Sequence, residues 1–272
     1  MLHLVVLVAL AASPVRTSEL GDLLHPIVSD ELGVMESNLD ELIKSVGSHI
    51  NSGSAGGDCC SSSSGRNPGQ SFDVFGDGGS YYLAFRGTAG VGRSVYDAYV
   101  KDDAINYEPC CKQVNGSLPC SAHYRNNAIL DDWQFIEEVV LAVYERGVIK
   151  QALTFDAAGT DYLSWFSPGN LKGAGKWEDL KEKTTNFFSI AGDAGLKRRF
   201  YINQIYLGCL ADIGWFMAMD NPLPPCQYEK HSSYPQFLYS SGTGRMTWSS
   251  SGELAQADVM AVFVKFYKGC SA

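Results

Sequence analysis

DVMAVFVKFY, Asp258 to Tyr267, is a short apolar and aromatic run, and its composition is that of a β-strand. Working back along the chain, the pattern recurs in PQFLYSS (235–241), IGWFMAM (213–219), RRFYINQIY (198–206) and NFFSIAG (186–192). It recurs again in QALTFDA (151–157), EEVVLAVYE (137–145) and SYYLAFRG (80–87). Turn signals separate these runs. SVYDAYVKD (94–102) and KWEDLKEKT (176–184) read instead as short helices or turns. Residues 71–272 are therefore expected to form one β-rich α+β globular domain, with no internal repeat.

Ahead of this domain the character changes three times. Leu2 to Ala12 is an apolar run of eleven residues interrupted by His3. It is too short to span a bilayer, which needs about 20 residues, and fits the core of a signal peptide over residues 1–18. Small-residue cleavage sites stand at Ala11-Ala12-Ser13 and at Val15 to Ser18. Residues 19–50 follow as a helical stalk. Within 28–46, Leu32, Leu39 and Val46 fall at heptad a, and Val28, Met35 and Leu42 at d. That seam serves either an oligomerising stalk or an amphipathic helix lying on its own domain. Residues 51–70 are a Ser/Gly linker carrying Cys59 and Cys60.

The formal net charge of −9 and pI near 5.0 argue against a nucleic-acid partner. No later segment reaches membrane-spanning length, so the expected location is secreted and extracellular, with no membrane span. In an exported chain, eight cysteines imply a disulfide framework. The sequon Asn115-Gly116-Ser117 then becomes a glycosylation candidate in a turn-rich loop between Cys111 and Cys120.

Candidate chemistry is sparse. GTAGVGRS (87–94) approaches a phosphate-binding loop, but Arg93 stands where the lysine belongs, so a Gly-rich turn is the expectation. A hydrolase needs a nucleophile, a base and an orienting acid. Beyond Ser71 the histidines are His123 and His231, and no nucleophile elbow is present. No histidine spacing suits zinc, and GDAG at Gly192 and Asp212 offer only scattered oxygens to calcium. Trp165, Trp177, Trp215 and Trp248 could stack on sugars, but core filling is the stronger expectation. No catalytic residue, metal or cofactor is expected.

Several blocks carry a resemblance. They are LAFRGTAGVGRSVYDAYV (83–100), CSAHYRN (120–126), TFDAAGTDYLSWFS (154–167), FFSIAGDAGLKRRFYINQIYLGCLADIGWF (187–216) and FLYSSGTGRMTWSSSGELAQADVMAVFVKFY (237–267). In this order they resemble secreted skeletal organic matrix proteins of corals and other invertebrates. GGSYYLAFR (78–86) adds a looser similarity to fibrinogen-related, lectin-like domains, with Tyr81-Tyr82 where those have Trp. The resemblance implies a secreted, matrix-associated protein and assigns no catalytic residue. It also implies that Cys120 pairs with Cys111 or Cys110, and Cys209 with Cys226. That leaves Cys59, Cys60, Cys270 and one of Cys110 and Cys111 to pair within the chain or with a neighbouring one.

The expected function is therefore a secreted, non-enzymatic extracellular matrix or adhesion protein, in a calcified or organic matrix. Its expected partners are an extracellular glycan, a matrix protein or a mineral surface. Homo-oligomers would form through the helix of residues 28–46 and the linker cysteines. The alternative is a soluble lectin-like glycan-recognition protein, and a secreted hydrolase ranks below both.

Overall fold

The computed structural model describes residues 69–101, 109–114, 120–250 and 252–269. The signal segment, the heptad run 28–46, the linker up to residue 68, Cys59, Cys60, Asn115 and Cys270 lie outside the described residues, as does the side chain of Cys110.

The chain runs through β1 (Ser71–Phe72), β2 (Tyr81–Thr88), α1 (Val95–Lys101), β3 (Tyr124–Arg125), α2 (Asn127–Leu130), β4 (Ile136–Glu145), β5 (Val148–Asp156) and β6 (Leu171–Gly173). It continues with β7 (Phe187–Ser189), β8 (Arg198–Ile205), β9 (Ile213–Met219), β10 (Gln236–Ser240), β11 (Met246–Thr247), β12 (Leu254–Ala257) and β13 (Val259–Phe266). Every run read as a strand lies on one of these. Among the described residues, pairing makes two antiparallel sheets. Sheet 1 has seven strands in the order β1-β2-β13-β4-β5-β6, with β3 on β2, and sheet 2 has six in the order β12-β10-β9-β8-β7, with β11 on β9.

The domain is thus mostly β, not α+β. Its α-helices among the described residues are α1, of seven residues, and α2, of four. KWEDLKEKT forms turns. So short a segment gains few helical hydrogen bonds against the cost of nucleation, and here the sheets compete for its polar groups. Glu178 N–H donates to the Thr243 carbonyl at 2.8 Å, and Asp179 accepts from Trp215 Nε1 at 2.8 Å. No helix of the described residues is long and apolar enough to cross a membrane.

Side-chain alternation explains how the sheets meet. In β13, Met260, Val262, Val264 and Phe266 enter the cluster between the sheets, while Val259, Ala261 and Phe263 point to the other face of sheet 1. A strand apolar on both faces belongs in the middle of a sheet, and β13 lies between β2 and β4. In sheet 2, Phe200, Ile202, Phe216, Ala218, Phe237 and Tyr239 supply the facing layer. Tyr201, Met217, Met219, Leu238 and Met246 line its outer side with Trp248. The result is a β-sandwich whose two outer faces are also covered. Trp165, Trp177 and Trp215 belong to the inner cluster, so the tryptophans fill core.

Two backbone positions need special residues. Arg146 and Gly147 take φ of 50° and 76° between paired Glu145 and Val148, the hairpin geometry of a type I′ turn. At Gly87, a Cβ would meet Phe237 Cζ at 2.8 Å and Val95 Cγ2 at 2.9 Å. Only glycine lets β2 pass so closely under α1 and β10.

Candidate functional site

The Gly-rich sequence 87–94 becomes the turn from β2 into α1, and two buried polar groups fix it. His123 is fully buried; its Nδ1 accepts from Thr88 N–H and its Nε2 lies 3.0 Å from the Arg93 carbonyl, to which it donates. Burial depresses its pKa to about 4, so the ring is neutral. Asp220, at the end of β9, accepts from Ser94 Oγ at 2.6 Å, Val95 N–H at 2.8 Å and Tyr96 N–H at 3.0 Å. A distant carboxylate therefore caps the first turn of α1. Burial raises its pKa, against the effect of these donors.

A second buried construction holds the segment after β9. Arg198, at the start of β8, is 1% exposed. Its Nε donates to Glu229 Oε1 at 2.6 Å and its Nη1 to Asp212 Oδ2 at 3.0 Å. Tyr201 Oη, Tyr228 Oη and Cys226 Sγ take its remaining donors. Burial works against its charge, but Tyr201, Glu229 and Tyr228 outweigh that and hold its pKa above the ordinary value. The carboxylates reach further. Asp212 Oδ1 accepts the N–H groups of Leu207 and Gly208, and Glu229 Oε2 that of Cys226. Cys226 is bonded to Cys209. One guanidinium thus ties the loop before β9, the segment after it and the disulfide to the outer face of sheet 2.

Where the two constructions meet, a cleft of about 330 Å³ opens. Gly92, Asn221, Glu229, His231, Ser232 and Tyr234 are among the residues that line it. Gly90 N–H bonds the Pro235 carbonyl and Gly92 N–H the Tyr234 carbonyl, at 2.8 and 2.7 Å, which joins the walls. Asn221 bridges locally, donating to the Leu196 carbonyl and accepting from Leu223 N–H. Partial burial lowers the pKa of His231, against the effect of the Tyr228 backbone beside it. The volume is at the lower end of small-molecule sites, roughly 300–1,000 Å³.

Other predicted positions fall elsewhere. Cys111 is bonded to Cys120 and packs on the outer face of sheet 1. Asp193 of GDAG accepts from Gly195 and Leu196 N–H, a turn former's role, and Asp212 is spent on Arg198 and backbone. Among the described residues no group of three or more His, Cys, Asp or Glu is arranged to hold a metal ion. Sequence reasoning did not find Arg198, Asp220 or Glu229. The one signal was a pair of arginines opening a strand that alternates apolar residues, since a charge on a buried face requires a partner. Comparison with family models, curated proteins and solved structures gave no match to this chain.

Proposed function

We propose that this is a secreted, non-enzymatic recognition protein of an extracellular, organic or calcified matrix, and that it holds a glycan of that matrix in the cleft beside Gly92 and His231. The carrying observation is the cleft itself. Its walls are set by buried polar networks and a disulfide, so little ordering cost falls on binding. Its lining offers hydroxyls, amides and an imidazole, the groups that read sugar hydroxyls. The resemblance to skeletal matrix proteins supports the same reading. Catalysis finds less support. His123 is enclosed with both ring nitrogens engaged, and among the described residues no hydrogen bond joins a serine hydroxyl to either His123 or His231.

A glycan array probed with the purified protein tests this. Binding should be found and should be lost in Ser232→Trp, which places a large side chain at an exposed position of the lining. Binding that ignores this substitution, or turnover of a glycan, would overturn the proposal. Tissue fractionation separates the two settings: a matrix protein stays with the insoluble fraction, a soluble lectin does not.

A further inference from the structure

Resting on that reading, we infer that the saccharide is anionic, and that Arg93, Lys197 and Lys230 beside the cleft hold its sulfate or carboxylate groups.

The backbone brings the three cations to the cleft. Arg93 follows Gly92, and Lys230 stands between Glu229 and His231; Gly92, Glu229 and His231 all line the cleft. The Lys197 carbonyl accepts from Asp220 N–H at 2.9 Å, and the preceding Leu196 carbonyl accepts from Asn221 Nδ2 at 3.3 Å. Lys197 therefore sits against Met219 to Asn221, whose ends are both lining residues. Arg93, Lys197 and Lys230 are all exposed, and among the described residues none of them forms an ion pair.

The carboxylates around them are already engaged. Glu229 accepts from Arg198 Nε and Cys226 N–H, and Asp212 from Arg198 Nη1 and the N–H groups of Leu207 and Gly208. Asp220 is spent on Ser94, Val95 and Tyr96, and Asp193 on Gly195, Leu196 and the Tyr206 hydroxyl. Asp97 is paired with Lys101 at 3.0 Å. Arg199, over the Tyr96 ring at 4.2 Å, adds a further positive charge. Arg93, Lys197, Arg198, Arg199 and Lys230 thus outnumber Asp193, Asp212, Asp220 and Glu229. Asp212, Asp220 and Glu229 are buried, whereas Arg93, Lys197 and Lys230 face solvent. The net charge of −9 acts against an anion at a distance, but salt screens it beyond roughly 10 Å. On contact, a guanidinium and two ammonium groups suit sulfate and carboxylate oxygens. The hydroxyls of Ser232 and Tyr234 are left for those of the sugar.

Calorimetry with uncharged hexose oligosaccharides and their sulfated and uronate counterparts, at neutral pH and at low and high salt, tests this. The preferred charged sugar, sulfated or uronate, should bind about tenfold more tightly than its uncharged counterpart at low salt. High salt should remove that advantage. The triple variant Arg93→Gln, Lys197→Gln, Lys230→Gln changes only exposed side chains, and circular dichroism checks its fold. It should bind the charged sugar no better than the uncharged one. Ser232→Trp should abolish binding of both. Equal affinity for charged and uncharged sugars, or a preference that survives in the triple variant, would overturn this inference and leave the glycan reading standing. So would a charged sugar that still binds Ser232→Trp, since the anion would then be held outside the cleft, and with it would go the glycan reading. No binding by any sugar would overturn both.

Discussion

A disulfide anchors each outer face of the sandwich, Cys111–Cys120 on sheet 1 and Cys209–Cys226 on sheet 2, but the two faces are held by opposite physics. On sheet 1, Cys111, bonded to Cys120, packs with Leu83, Val140, Ala142, Tyr144 and Phe263, and Phe72 meets Phe263 at 5.4 Å between ring centroids. That cover is apolar and non-directional. On sheet 2, Arg198 makes five hydrogen bonds, and those to Cys226, Tyr228 and Glu229 hold the segment after β9. Apolar contact tolerates small shifts of its cover, whereas a guanidinium fork accepts one geometry. The cleft lies on the side with the fork, where wall positions must be exact enough to bind.

The strongest way to break this contrast is Arg198→Ala. It strands Asp212 and Glu229, which are 0% and 1% exposed, without their counter-ion. Losing one partner of a buried ion pair costs about 3–5 kcal/mol, and urea unfolding should show a loss of that size. Adding Asp212→Asn and Glu229→Gln removes the stranded charges and keeps the oxygens that accept Leu207, Gly208 and Cys226 N–H. The triple variant should therefore be more stable than the single one. If it is not, packing rather than charge holds this face.

These two faces also show what the sequence could and could not reveal. Strands such as DVMAVFVKFY were legible because apolar, β-branched and aromatic content is a local property. KWEDLKEKT, read as a short helix or turns, takes the turns because Glu178 and Asp179 bond residues far along the chain, Thr243 and Trp215. The site was legible only in pieces. His231 stands in the polar run CQYEKHSSYP (226–235), and nothing near it in sequence announces that Gly92 lines the same cleft. Arg198, Asp212 and Glu229 are joined only by the fold, so no spacing rule finds them. Asp220 likewise caps a helix more than a hundred residues earlier in the chain.

A second, smaller effect distinguishes the turn side of the cleft from its ionic side. His123 takes up a proton near pH 6.5 when unfolded and near 4 when folded. Between those values the unfolded chain binds more protons, so stability rises with pH and falls on acidification. The loss on going from pH 7 to 4 is on the order of 3 kcal/mol. Urea midpoints measured across that range should follow it, and in His123→Asn the slope should flatten. A slope unchanged in the variant would place the acid sensitivity elsewhere.

The smallest expected effect is the most discriminating. Phe263→Leu alters the apolar cover of sheet 1, where the side chain meets Phe72 but makes no hydrogen bond. Loss of the ring leaves space that neighbours such as Leu83 and Val140 can partly fill, and a partial truncation of this kind costs about 1–2 kcal/mol. Because that face shares no residue with the cleft, saccharide affinity should stay unchanged while the denaturation midpoint moves slightly. Affinity that drops with Phe263→Leu would mean that strain crosses the sandwich from one outer face to the other. The cleft would then depend on the packing of the whole core rather than on the Arg198 fork.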